Sequence, residues 1–293
     1  WRLTDDKSVV LTRAESDAMT LDPITVQGKT FGSKAEGSGI APPFAGGQVA
    51  RGSRLGILGE RDFMETPFST QAFTRDFIEN QQARSIADVI KNDPSVVSAT
   101  SNAAHHADFY FFRGFASDIQ DGSSINGLYG LMGYAPGVEY VERVEVLKGP
   151  NAFVAGMPAV VGGTINVKMK RATDAPITRV TGKYENDLLF GGHVDIGRRF
   201  GPDKSLGVRI NGSYEYGDTA VEDGERRAHN AALALDYRGD RVRASIDVLN
   251  EKRKNYGYNF YAAPVAGVTL PDAPDSSRFL LPPWMTQWTD HTA

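Results

Sequence analysis

The sequence predicts an α+β domain followed by about five antiparallel strands of a transmembrane β-barrel. Three observations carry that prediction. Glu142–Pro150 and Gly162–Val167 read as a strand–turn–strand unit: β-branched residues alternate with charges, Gly149-Pro150 breaks the first strand and Gly162-Gly163 launches the second. Between Thr74 and Asn92, Phe77, Ile78, Ile86, Val89 and Ile90 recur at roughly the 3.6-residue helical period. From Ile177 onward the chain alternates apolar and polar residues in run after run, a dyad period with one lipid-compatible face and one wet face.

Composition narrows the function classes. With 41% hydrophobic and 23% charged residues a buried core is attainable, and 31 glycines favour turn-rich β structure. A net charge of −4 argues against nucleic acid as a partner, since phosphate binding wants a basic surface. The absence of cysteine excludes a disulfide scaffold and thiolate metal sites. No run of about 18 apolar residues occurs, so no transmembrane helix is expected. A mean hydropathy of −0.33 remains compatible with barrel strands, which carry only the dyad signal. The chain opens mid-element at Trp1-Arg2-Leu3 without a signal peptide, so a processed chain or a fragment is expected.

Residues 1–13 read as a hairpin, Trp1-Arg2-Leu3 and Val9-Val10-Leu11 flanking an Asp5-Asp6-Lys7 turn. Residues 14–56 read as a flexible linker, too rich in Gly, Ser, Ala and Pro to pack, with one β-prone island at Leu21–Val26. Residues 57–172 read as the compact domain. Its helical stretch divides in two, with Asp76 and Ser85 as N-caps, and ends at Asp93-Pro94 because the residue before proline avoids the helical region. Asp121-Gly122 and Asn126-Gly127 mark turns. The dyads that follow are Arg179–Glu185, His193–Ile196, Leu206–Tyr216, His229–Tyr237 and Val242–Val248. Gly201–Lys204 and Arg238–Asp240 read as tight turns, Gly217–Glu225 and the stretch after Glu251 as long loops. A soluble antiparallel sheet with one solvated face would alternate in the same way.

Chemistry-bearing motifs are few. Gly149–Gly156 is no phosphate loop, because Gly-Lys-Ser/Thr does not follow and Pro150 removes a donor. His105, His106 and Asp108 read as a polar loop tip rather than a metal or haem site, since adjacent histidines on an extended chain diverge. No Ser/His/Asp set and no carboxylate pair at helical spacing emerges, so an enzyme is not expected.

Taken in order, Thr66-Pro67-Phe68-Ser69, Ile86–Ile90 with Asp93-Pro94, Phe112-Arg113-Gly114-Phe115, Asn126-Gly127-Leu128, Glu142–Pro150 and Gly162–Val167 resemble the plug domain of TonB-dependent outer-membrane receptors, with the ferrichrome and hydroxamate type nearest. The resemblance implies a plug at 57–172 and the N-terminal part of a barrel at 173–293. Room after Arg171 for only five or six strands, against about 22 in a complete plugged barrel, implies a fragment. It makes residues 1–13 the tail of a periplasmic signalling domain. It makes Asp22, Pro23, Ile24, Thr25 and Val26 the TonB box, which adds a strand to TonB, although Pro23 departs from the usual pattern by lacking a backbone donor. Loops at Thr100–Asp108, Asp118–Ser124 and Leu128–Pro136 would face the ligand through His105, His106, Gln120, Tyr129, Met132 and Tyr134. Arg113, Glu142, Arg143 and Glu145 form a charge lock, either with the barrel wall or within the plug.

The implied function is active import of a ferric siderophore across the bacterial outer membrane, with plug and N-terminus towards the periplasm. The implied partners are TonB with its inner-membrane motor, the siderophore, outer-membrane lipid and a periplasmic anti-sigma regulator. The iron travels in the ligand, so no cofactor is implied. The alternatives are a haem or cobalamin receptor of the same family, a signalling receptor controlling iron-uptake genes, and a soluble carbohydrate-binding β-domain.

Overall fold

The structure, a computed structural model, describes residues 2–5, 8–10, 40, 42–54, 56–98, 110–117, 122–132, 136–149, 154, 161–185, 188–220, 222–256 and 288–292. The chain divides into two units, Trp1–Thr30 and Phe31–Ala293. In the first, β1 (Arg2–Asp5) pairs antiparallel with β2 (Ser8–Val10), the hairpin expected there. Asp22 to Val26 lie outside the described residues.

In the second unit, β3 (Gly52–Arg54) pairs with β4 (Glu60–Asp62), and Val49 bridges to Phe73. The linker therefore does not run unpacked to residue 56 as its composition suggested. Gly52 is there for close approach rather than looseness: a Cβ on it would stand 2.1 Å from the Arg61 carbonyl oxygen. Next come β5 (Ser69–Thr74), α1 (Arg75–Asn80) and α2 (Ile86–Ile90). Two helices form, as the spacing predicts, but the first is capped by Thr74, whose hydroxyl accepts from the Phe77 N–H at 3.1 Å. Asp76 lies inside the first turn instead of capping it. Ser85 caps the second helix in a reciprocal box with Asp88.

Strands β6 (Val96–Ser98), β7 (Tyr110–Phe112) and β8 (Phe115–Ser117) make a small antiparallel sheet. With β9 (Ser123–Ile125), β10 (Leu128–Tyr129), β11 (Val141–Lys148) and β12 (Gly163–Met169), β5 completes a mixed five-stranded sheet in the order β10-β9-β12-β11-β5. Asn126 and Gly127, at φ 51° and 85°, make the tight turn predicted between β9 and β10. Val144, Val146, Ile165 and Val167 from the sheet meet Ile86, Val89 and Ile90 from α2 in one apolar core.

The remaining strands form a meander in sequence order: β13 (Ile177–Glu185), β14 (Leu189–Phe200), β15 (Leu206–Asp218), β16 (Glu225–Arg238), β17 (Arg243–Tyr256) and β18 (Trp288–Thr292). Among the described residues these are six strands, within the five or six for which the chain after Arg171 has room. The long loop read at Gly217–Glu225 is instead a short connection, closed by the Thr219 N–H donating to the Gly224 carbonyl at 2.8 Å, and β17 runs past Glu251 to Tyr256.

This sheet is turned inside out. Val180 and Ile246 are 76% and 63% exposed on its outer face, whereas Asp195 and Arg209, on the face against the α+β domain, are each 1% exposed. The outer face also has two aromatic rows, Tyr184, Phe190 and Tyr216 near one edge and Phe200 and Tyr237 near the other. Phe190 and Phe200 are ten residues apart on β14. At about 3.3 Å per residue and a strand tilt of about 40°, the rows are about 25 Å apart along a membrane normal, the height of a lipid-facing band. A soluble sandwich would bury its apolar face, so that alternative does not describe this sheet.

Candidate functional site: the seam between domain and wall

Residues 170–174, which lead from β12 into β13, are held by side chains from the inner face of the sheet and from the β14–β15 turn. Arg209 Nη1 donates to the Arg171 carbonyl at 3.1 Å, Arg199 Nη1 to the Ala172 carbonyl at 3.0 Å and Lys204 Nζ to the Asp174 carbonyl at 3.0 Å. The Arg171 guanidinium in turn grips Asp247 on β17, Nη2 to Oδ2 at 2.6 Å, and Asn126 donates to the same oxygen at 2.9 Å. Beneath this strap, Asp195 receives Arg209 Nη2 at 2.7 Å and Lys170 Nζ at 3.2 Å. All three side chains are almost wholly buried. Burial pushes the Lys170 ammonium below its usual range even though Asp195 and Glu79 act to raise it.

Further along the seam, Glu139 meets Lys183 at 3.2 Å and Asn230 Nδ2 at 2.9 Å. Burial acts to raise the Glu139 carboxyl, but Lys183 and hydrogen bonding outweigh it and hold it below its usual range. Glu251 of β17 accepts from the Gly137 N–H at 2.8 Å and the Tyr140 hydroxyl at 3.4 Å. Glu79 pairs with Arg179 at 2.6 Å, and Arg84 pairs with Glu185. A cavity of about 420 Å³ lies among these groups, lined by Glu79, Arg84, Glu139, Lys170, Lys183 and His193. The seam is thus built largely from ion pairs and hydrogen bonds, with Ala232 of β16 and Leu249 of β17 packed against the plug core. Parting it exposes mainly charge to water.

The sequence model for the TonB-dependent receptor plug domain matches residues 62–163. The ferrichrome receptor FcuA of Yersinia enterocolitica is 40% identical over 267 residues, 89% of this chain and 35% of its own length. The crystal structure of BauA, the ferric preacinetobactin receptor of Acinetobacter baumannii, superposes with a TM-score of 0.79 at 41% identity, covering 85% of this chain and 38% of that one. The chain belongs to the TonB-dependent receptors. Its α+β domain is the plug, and the strands after it are barrel strands. A vitamin B12 transporter of Vibrio vulnificus, 36% identical, matches only 37% of the chain and 18% of its own length. The chain spans about a third of the length of the ferrichrome receptor it matches.

The residues singled out from sequence fall into three groups. Arg143, Glu145 and Glu142 are brought together inside the plug rather than onto the described wall. Arg143 contacts Glu145 at 2.6 Å and Glu60 at 3.5 Å. Glu145 also accepts from the Arg54 N–H at 3.1 Å and Asn166 Nδ2 at 2.7 Å, and Glu142 meets Arg75 at 3.6 Å. Burial raises the Glu142 carboxyl despite the opposing pull of Arg75 and Lys170. Arg113 does not join this cluster. It occupies the β7–β8 turn at φ 49°, exposed, its N–H donating to the Ser95 carbonyl.

Among the ligand candidates, Tyr129 is half-buried on β10. Met132 is no part of a wet rim: at 4% exposure it belongs to the plug core. His105, His106, Gln120 and Tyr134 lie outside the described residues. Sequence reasoning missed Lys170, Arg171, Asp195, Arg199, Arg209 and Asp247. The signal available for the strand residues was their place on the polar side of a dyad whose other side is apolar.

Proposed function

We propose that this protein imports a ferric siderophore across the bacterial outer membrane, with the plug as a gate that TonB pulls open. The observation that carries the reading is the polar seam: a plug held against the inner face of barrel strands by ion pairs and captured carbonyls. Such a contact fixes the plug at rest, yet the separated charges regain hydration when it moves, and the apolar contacts to be parted, Ala232 and Leu249 against the core, are few. The match to a ferrichrome receptor along nearly the whole chain favours a siderophore over cobalamin as cargo. The relatives named above are receptors and transporters, and the same reading places the protein in the outer membrane.

In this reading Asp22–Val26 is the segment TonB grips. His105, His106, Gln120, Tyr129 and Tyr134 face the ferric siderophore, and Met132 supports their loop from the core. The test is uptake of radiolabelled ferric ferrichrome, with cyanocobalamin and haemin in parallel, by cells carrying the full-length receptor with and without TonB. Uptake of the siderophore alone, lost without TonB, is expected. Ile24→Pro should abolish uptake and leave binding intact, because the added strand loses a backbone donor and its register. Undiminished uptake by that variant removes Asp22–Val26 from energy coupling.

A further inference from the structure

The plug meets the wall through two kinds of contact, and they lie on different sides of it. On β13 the alternation turns Arg179, Lys183 and Glu185 towards the plug, where they pair with Glu79, Glu139 and Arg84. Each of these pairs is partly open to solvent. On the strap side, by contrast, the side chains of Asp195, Arg199 and Arg209 on β14 and β15 are almost wholly buried. Arg199 alone donates to the Ala172, Lys204 and Ser205 carbonyls at 3.0, 2.5 and 3.1 Å. Water and salt screen an exposed ion pair, so it holds little. A buried pair or a captured carbonyl cannot part without leaving a polar group unmatched.

The chain leading into the plug joins it on the weakly held side. The Thr74 hydroxyl, which caps α1, donates to the Gly47 carbonyl at 2.6 Å, and Val49 bridges to Phe73. A pull on the N-terminal tether therefore arrives at β5 and α1, while the strap holds the plug's other end. Between α1 and β13 lies the cavity of about 420 Å³, walled by Ile78, Gln82 and Ala83 of the plug and by Thr181, Leu189 and His193 of the sheet. That volume is within the range of small-molecule sites, and the ion pairs beside it are the ones that part most easily. From this asymmetry we infer that the plug opens on its α1 side, away from β13, with residues 170–174 staying on β14 and β15 as the hinge, and that the cavity widens into the passage for a hydrophilic metal chelate. The cargo in this inference rests on the import reading above; the side that opens does not.

The test uses the full-length receptor in cells and has two arms. The first compares two buried alanines, Ala83 beside the cavity and Ala172 in the strap. Each is changed singly to Cys and exposed to a membrane-impermeant maleimide, with and without TonB. Labelling of Ala83→Cys should be at least about tenfold faster with TonB, and labelling of Ala172→Cys should not respond to it. In the second arm Arg84→Cys and Glu185→Cys are combined and bridged by a short bifunctional thiol reagent. The bridge should cut uptake of radiolabelled ferric ferrichrome at least about tenfold and leave its binding unchanged, with uptake restored by reductant. The same pair capped by a monofunctional reagent should keep uptake within about threefold of wild type, which separates tethering from bulk. Full uptake through the bridged receptor overturns the passage. Labelling of Ala172→Cys that responds to TonB as strongly as that of Ala83→Cys overturns the hinge, because the plug then leaves the wall as a whole. No response at Ala83→Cys overturns the side of opening. A wild type that takes up no ferric siderophore refutes the cargo reading instead, and the labelling arm then decides the side of opening by itself.

Discussion

In the plug, Val144, Val146, Ile165 and Val167 turn inward and are almost wholly buried; in the barrel strands, Val194, Ile210 and Ile246 turn outward while Asp195, Arg209 and Asn211 are the buried ones. Both regions alternate apolar and polar residues with the same period. Which set becomes the interior depends on what lies outside. The plug gathers its apolar residues round α2 into a core, whereas the wall presents its apolar set to lipid and keeps its charges for the plug. In the gating proposed above, the apolar core would keep the plug one body, and the largely polar seam would let that body part from the wall.

The sharpest way to break the comparison is to put the same charge on the apolar side of each region. Val146→Asp buries a lone carboxylate in the plug core, which costs on the order of 4 kcal/mol or more. Val194→Asp, on the outer wall, should cost less, roughly 1–3 kcal/mol, because acidic groups on a barrel's lipid face are penalised less than basic ones. The first should make cells that carry the full-length receptor sensitive to a large antibiotic such as vancomycin, through a collapsed plug. The second should instead lower barrel yield, seen as heat-modifiable protein. Equal vancomycin sensitivity would show that the plug has no core of its own.

The next effect in size lies in the seam. Removing Asp195 takes the buried carboxylate from two cations, leaving Lys170 the Glu139 carbonyl at 2.6 Å and Arg209 the Arg171 carbonyl at 3.1 Å, whereas removing Lys170 leaves Asp195 still bonded to Arg209. Asp195→Leu should therefore cost about 3–5 kcal/mol of seam stability and Lys170→Met distinctly less. Hydrogen exchange of β12 in the full-length receptor reads this directly, with roughly a few hundredfold to a few thousandfold faster exchange expected for the first variant. Similar exchange in both would mean that Asp195 is not the hub.

Much of this was legible in the sequence because it depends on local pattern. The barrel dyads, the Ser85–Asp88 box, the Asn126-Gly127 turn and the N-terminal hairpin all emerge where their spacing puts them. Glycine misled twice. Gly52 and Gly217 read as looseness, yet a Cβ on either would stand 2.1 Å from a backbone oxygen, of Arg61 and Leu188 respectively, so both serve close strand approach. Met132 and Arg113 were misplaced because exposure in an irregular segment depends on tertiary packing. The strap at 170–174 escaped notice for a different reason: alternation says which side of a strand is polar but not which distant carbonyl its arginine will hold.

A smaller effect is expected at the ligand loop. Tyr134→Ala should weaken binding of ferric siderophore by at least about tenfold, because a truncated aromatic anchor commonly costs about 2 kcal/mol. Tyr184→Ala, on the outer face beside Phe190 at 5.2 Å, should leave binding unchanged. Fluorescence quenching titrations on the two full-length variants decide it. Equal affinity for Tyr134→Ala and wild type takes that loop out of the ligand site.

The smallest effect compares two pairs within the same seam. Arg179 and Glu79 are 2.6 Å apart, closer than Lys170 and Asp195, so distance alone would make them the stronger link. Their side chains, however, are 44% and 39% exposed, while those of Lys170 and Asp195 are 2% and 1% exposed. Water and salt screen the exposed pair, and holding two long side chains in place offsets what attraction remains, so Arg179→Gln should cost only about 0–1 kcal/mol. Hydrogen exchange of the plug's α1 in low and high salt gives the measure: a slight acceleration at low ionic strength that vanishes at about 1 M salt. A salt-insensitive change as large as that of Asp195→Leu would instead show that Arg179 and Glu79 are shielded from solvent in the assembled receptor, and would move the hub of the seam from β14 to the edge strand β13.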